Sequence, residues 1–92
     1  QSVLQLAAPA DINIIREANQ VMLNIGAILK AAGMDFGNVV KTTIFLTDMN
    51  NFSHVNDVYG QFFQSDFPAR ETVQVSRLPK DVNVEISVIA VR

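Results

Sequence analysis

Between Ile12 and Ala31 the apolar residues recur at the helical period, and from Asn38 the period drops to two. That switch constrains the chain more than any other feature, because it fixes a long amphipathic helix followed by a half-buried strand. In the first segment Ile14, Ala18, Val21, Ile25 and Ile28 form one stripe, with Ile15, Met22 and Leu29 beside it. Asp11 suits the N-cap, and Ala31-Ala32-Gly33 puts a glycine just past the end, where a left-handed residue closes a helix. Gly26 inside the helix costs about 1 kcal/mol relative to alanine, which a close approach to a sheet would explain. In the second segment, NVVKTTIFLTD, the residues Val40, Thr42, Ile44 and Leu46 face one way. Val39, Lys41, Thr43, Phe45 and Thr47 face the other. A helix stripe and a strand face of this kind must bury each other.

The remaining segments extend the same architecture. MNNFSHVNDVYGQFF returns to helical spacing at Phe52, Val55, Tyr59 and Phe62, with Asn50 or Asn51 as its cap and Asp48 at the strand end. Its aromatic residues read as core. The closing stretch, Phe67 to Arg92, reads as two strands joined by a Pro-containing turn with Lys80-Asp81 at its tip. Ser2 to Ala7 suits a short edge strand. The order strand, helix, strand, helix, strand, strand is an α+β pattern, a single domain over residues 1–92 with both helices on one face of a sheet.

Composition narrows the function. The 92 residues carry a net charge of −2 and no run of Lys or Arg, which argues against nucleic acid as a partner. No apolar run approaches the roughly 20 residues of a membrane-spanning helix, and residues 1–10 lack the pattern of a secretory signal. With no cysteine and one histidine, thiol nucleophiles, disulfides and cysteine-based metal sites are excluded. No cofactor motif is present, so chemistry falls to carboxylates, arginine, hydroxyls, amides and backbone groups. A domain this small with 49% hydrophobic residues is expected to hide part of its apolar surface between subunits.

Two charges stand out in the closing strands. Alternation places Arg70, Thr72, Gln74 and Ser76 on one face and Glu71, Val73 and Val75 on the other. In the last strand Val82, Val84, Ile86, Val88 and Ala90 form the core face, so Glu85 points away from it with Asn83, Ser87, Ile89 and Val91. Arg70 is expected on that same polar face. On the residues alone, the two read as an ion pair across neighbouring strands or subunits, or as a ligand site.

The strings KTTIFLTDM, VNDVYGQFF, FPAR and LPKDVNVEI occur in this order after NIGAILKAAG. Together they resemble the RidA family, also called YjgF or L-PSP, over about Ile15 to Arg92. The resemblance implies a fold like chorismate mutase, a mixed β-sheet with two helices packed on one face, assembled as a homotrimer with ligand sites between subunits. It implies hydrolysis of 2-enamine and 2-imino acids such as 2-aminoacrylate to 2-oxo acids and ammonia, without cofactor or metal. By the same resemblance Glu85 is the catalytic acid that positions or activates water, and Arg70 grips the substrate carboxylate. Asn56 stands at the pocket wall, and Thr72 lies near the substrate nitrogen. The expected partners are a small 2-imino or 2-oxo acid and further copies of the chain, in the cytoplasm or in a eukaryote's mitochondrion. The alternative is a non-catalytic trimer that binds a small carboxylate in the same cleft.

The chain departs from the family pattern in places. No GPYSQA-like opening strand and no SGQIP segment occur, so the domain is expected to be truncated at its N-terminus relative to the family. Ser87 stands where a second glutamate is common, and Glu71 where a small residue is usual.

Overall fold

In the computed structural model, residues 12–63 and 67–92 are described. The expected edge strand at Ser2 to Ala7 and the cap at Asp11 lie outside them. Helix α1 runs over Ile12–Ala31, strand β1 over Val39–Leu46, helix α2 over Phe52–Gly60, strand β2 over Ala69–Gln74 and strand β3 over Val84–Ala90. The sheet order is β2-β1-β3, with β1 parallel to β2 and antiparallel to β3. Parallel neighbours need a long crossover, and α2 supplies it. The two closing strands therefore do not pair with each other, because β1 lies between them.

The core joins α1, α2, β1 and β3. On α1 the buried residues are Ile14, Ile15, Ala18, Met22, Ile25 and Leu29, while Ile28 is 70% exposed. The buried stripe is thus centred on Ala18, Met22 and Ile25, rotated away from the Val21 and Ile28 edge. A Schellman motif ends the helix: Met34 N–H donates to the Leu29 carbonyl at 2.8 Å and Gly33 N–H to the Lys30 carbonyl at 3.0 Å. Gly33 takes φ +75°, as this closure requires. Gly26 faces an aromatic ring instead of the sheet, since a Cβ there would lie 3.1 Å from Phe36 Cε2. Phe36 in turn packs on Phe62 and Phe63, with ring centroids 5.4 Å away in each case.

Strand β1 shows the alternation expected at Thr42, Ile44 and Leu46, all buried. Val40 breaks it. A register shift against β3 between Val39 and Lys41 makes Val40 an extra residue, so Val39 turns inward and Val40 is 48% exposed. Thr42 is buried and accepts a hydrogen bond from the Tyr59 hydroxyl at 3.0 Å, tying β1 to α2. Tyr59→Phe leaves the Thr42 hydroxyl without that donor, and a loss of about 1–2 kcal/mol in urea unfolding is expected.

The start of α2 is set by side chains from both of its neighbours. Asp48 accepts from Asn50 N–H at 2.9 Å, and Gln74 at the end of β2 accepts from Met49 N–H at 2.8 Å. Both serve a 3-10 turn at Met49–Asn51 that leads into α2, and Asn51 makes no side-chain cap. The cap expected at Asn50 or Asn51 is therefore Asp48, one turn earlier.

The Lys80-Asp81 tip forms as the sequence suggests. Lys80 and Asp81 have φ of 61° and 55°, and Asp81 clasps Arg77 in a two-pronged ion pair that raises the guanidinium pKa further. A left-handed non-glycine residue costs about 1–2 kcal/mol, against about 0.4–1 kcal/mol for the extra freedom glycine gives the unfolded chain. Lys80→Gly is therefore expected to raise stability by roughly 0.5 kcal/mol in thermal melts.

Candidate active site

The register of the sheet decides where each predicted residue lies. In β1, Thr42, Ile44 and Leu46 face the helices, and they pair with Arg70, Thr72 and Gln74 of β2. Cross-strand partners share a face, so Arg70, Thr72 and Gln74 also lie on the helix side. Phe45, on the opposite face, pairs with Val73 and with Glu85. Arg70 and Glu85 are thus on opposite faces of the sheet, contrary to the expectation that they share one. Their backbones are separated by two strand spacings, about 10 Å, and by three residues along the strand direction, about another 10 Å. Within one chain they cannot serve a common small ligand.

Arg70 stands at the mouth of β2 under α2. Its guanidinium carbon lies 5.5 Å from the Tyr59 ring centroid and 5.6 Å from that of Phe52. Both distances fall within cation–π range. Among the described residues no carboxylate forms an ion pair with Arg70. The residue is exposed and borders a cleft of about 500 Å³. Asn56, Asp57, Tyr59, Gly60, Phe67 and Pro68 line that cleft with Arg70. A guanidinium held against rings with its fork open is suited to receive a carboxylate through two parallel hydrogen bonds. Asn56 comes to the same cleft from α2, one turn before Gly60.

Thr72 follows Arg70 on the same face of β2 but does not line the cleft. Its hydroxyl is buried and has no hydrogen-bond partner among the described residues. A buried hydroxyl without a partner costs about 1–3 kcal/mol, which a ligand or a further polar group would recover. Asp57, Phe52 and Tyr59 were not read as site residues from sequence. The signal was present in their spacing, since positions 52, 56 and 59 fall on one helical face beside the arginine of FPAR.

Glu85 lies on the face that no helix of the described residues covers. There the cross-strand rows are Ala69-Lys41-Ile89, Glu71-Thr43-Ser87 and Val73-Phe45-Glu85. Thr43 donates to Glu71 at 3.2 Å and Lys41 lies 3.7 Å from the same carboxylate oxygen. Val73 is 39% and Ile89 56% exposed at the two edges. The face therefore mixes exposed apolar groups with a polar seam, and Glu85 is exposed upon it.

Comparison with known proteins places the chain. The family model described as Endoribonuclease L-PSP matches residues 5–92. The 2-iminobutanoate/2-iminopropanoate deaminase of Capra hircus is 61% identical over 79 residues, covering 86% of this chain and 58% of that protein. The Homo sapiens protein of the same name is 52% identical with the same coverage. The chain thus spans less than two thirds of the length of these relatives. Among solved structures, Escherichia coli TdcF with bound serine superposes with a TM-score of 0.82 at 48% identity, over 86% of this chain and 65% of that one. The Escherichia coli YjgF gene product gives a TM-score of 0.82 at 49% identity, with the same coverage. The fold expected from sequence, a mixed sheet backed by two helices, is that of these structures. With both the family model and these relatives in agreement over the described fold, the chain belongs to the Endoribonuclease L-PSP family, the RidA/YjgF proteins.

Proposed function

We propose that this chain hydrolyses small 2-imino acids, and 2-enamines after tautomerisation, to 2-oxo acids and ammonia. The observation that carries the reading is Arg70, an arginine held against two aromatic rings with no carboxylate partner among the described residues, at the edge of a small cleft. Relatives at 52–61% identity named as 2-iminobutanoate/2-iminopropanoate deaminases support it.

The chemistry asks for little. Arg70 binds the substrate carboxylate and fixes the imine carbon, so that the reacting atoms meet without a search. Glu85 takes a proton from water as its oxygen attacks that carbon and the C=N π pair moves to nitrogen. The same carboxyl returns that proton to nitrogen, giving a carbinolamine. It then takes the hydroxyl proton and passes it to the amino nitrogen, so that the C=O bond forms as the C–N bond breaks and ammonia leaves a 2-oxo acid. Asn56 borders the bound molecule, and the backbone at Thr72 serves the nitrogen side, since the Thr72 hydroxyl is buried and outside the cleft.

This division of labour requires more than one copy of the chain. Since Arg70 and Glu85 sit on opposite faces of one sheet, the glutamate acting on a given substrate comes from a neighbouring subunit. The uncovered face with Val73, Phe45 and Ile89 is where copies meet, and a homotrimer closes three such sites. A single unassembled chain would bind a carboxylate at Arg70 without turning it over, which is the second reading this geometry favours.

Among the described residues no helix is long and apolar enough to cross a membrane. The proposed reaction belongs where pyridoxal-phosphate enzymes release imines, in the cytoplasm or in a eukaryote's mitochondrion. The test is to generate 2-aminoacrylate with a serine dehydratase and follow loss of the imine. Acceleration above the spontaneous rate is expected, and none at any protein concentration would contradict the activity. Binding of 2-oxobutyrate without acceleration would favour the second reading.

A further inference from the structure

We infer that Phe52 and Tyr59 are positioning residues for Arg70, forming an aromatic shelf that holds the guanidinium with its fork open. This rests on the reading of Arg70 as the carboxylate-binding group. A long, exposed arginine side chain at the start of a strand has ample rotamer freedom, and immobilising it on binding is costly. Two features remove that freedom beforehand. The guanidinium carbon lies 5.5 Å and 5.6 Å from the centroids of Tyr59 and Phe52, so two π faces attract it at once. Neither ring offers a hydrogen-bond acceptor to the fork, unlike a carboxylate partner, so the donors stay available.

The shelf is itself fixed from below. The Tyr59 hydroxyl donates to buried Thr42 at 3.0 Å, and the ring packs on Phe63 with centroids 4.8 Å apart. Phe63 packs in turn on Phe67 at 6.1 Å, and Phe67 lines the cleft. Phe52 is placed by the 3-10 turn whose first N–H is held by Gln74, two strand steps along the same face of β2 from Thr72 and four residues from Arg70. Strand β2 thus positions both the arginine and the ring above it. Phe52 is only partly buried and touches the core as a satellite, so its replacement by another apolar residue spares the fold.

The experiment compares Phe52→Leu with Phe52→Trp. Leucine keeps the apolar bulk and removes the π face, whereas tryptophan restores a stronger one. With Phe52→Leu, KM for 2-aminoacrylate and the dissociation constant for 2-oxobutyrate are expected to rise roughly two- to fivefold, with kcat nearly unchanged. Phe52→Trp is expected to return both to the unsubstituted values. A readout without ligand accompanies this: the Arg70 side-chain Nε–H proton is expected upfield of its usual position beside the rings and is expected to move downfield in Phe52→Leu. Unchanged KM and proton shift in Phe52→Leu would overturn the inference, as would equal losses with leucine and tryptophan. Arg70→Ala separates the two levels. If it abolishes 2-oxobutyrate binding while Phe52→Leu changes nothing, only the shelf is wrong. If 2-oxobutyrate binding survives Arg70→Ala, or is absent from the unsubstituted chain, the carboxylate site falls and the shelf with it.

Discussion

Arg70→Ala is expected to weaken 2-oxobutyrate binding by about 100-fold or more in calorimetry, because two charge-assisted hydrogen bonds disappear together. The cost in stability should be limited to the two ring contacts, about 1 kcal/mol. Arg70 is exposed and forms no ion pair among the described residues, so its removal strands no buried charge. Thermal melts lowered by no more than about 4–8 °C, which corresponds to the loss of about 1 kcal/mol of ring contact, together with lost binding, are the expected pattern. Arg70→Lys should recover only a small part of the affinity, since an ammonium has no fork to match a carboxylate and sits less well on aromatic faces. Affinity unchanged in Arg70→Ala would remove the cleft beneath α2 from consideration.

Glu85→Gln has the second large effect. Glutamine keeps the size and exposure of the side chain but cannot accept the proton from attacking water. A fall in kcat of roughly 10²–10⁴-fold is expected, with 2-oxobutyrate binding within about threefold of the parent. Binding is spared because the carboxylate is gripped by Arg70 on the other face of the sheet. The pairing of these two results matters more than either alone. A kcat effect from a residue so far from the binding arginine within one chain would be unaccountable unless a second copy brings it there.

Much of this arrangement is legible in the sequence, and the exceptions have physical reasons. Period alone gave α1, β1, α2 and the inward face of β3, where Val84 and Ile86 are buried and Glu85 points away as alternation requires. The helix stripe was misaligned by one position, because at 100° per residue two adjacent apolar stripes are hard to rank before the partner surface is known. Val40 was misplaced because a one-residue bulge is invisible to alternation.

The face of β2 was inverted for a more instructive reason. Alternation fixes which residues share a face but not which face is buried, and ARETVQ offers Val73 on one side and Thr72 on the other. An apolar valine suggests the core, yet β2 is the edge of the sheet among the described residues, and its inner side is roofed by Phe52 and Tyr59 of α2. Those rings accept a guanidinium, so Arg70 goes under the helix and Val73 goes to the open face. The family resemblance proposed Arg70 and Glu85 as site residues, but only the register revealed that they part company.

That separation is the centre of the account, and subunit mixing tests it most directly. Arg70→Ala and Glu85→Gln chains, each inactive alone, would be unfolded, combined in equal amounts and refolded together. If every site takes its arginine from one copy and its glutamate from the next, random assembly restores about one quarter of the sites. Deaminase activity near a quarter of that of the unsubstituted chain is the predicted result. Activity no higher than that of either variant alone would contradict it, and would return Arg70 and Glu85 to separate roles.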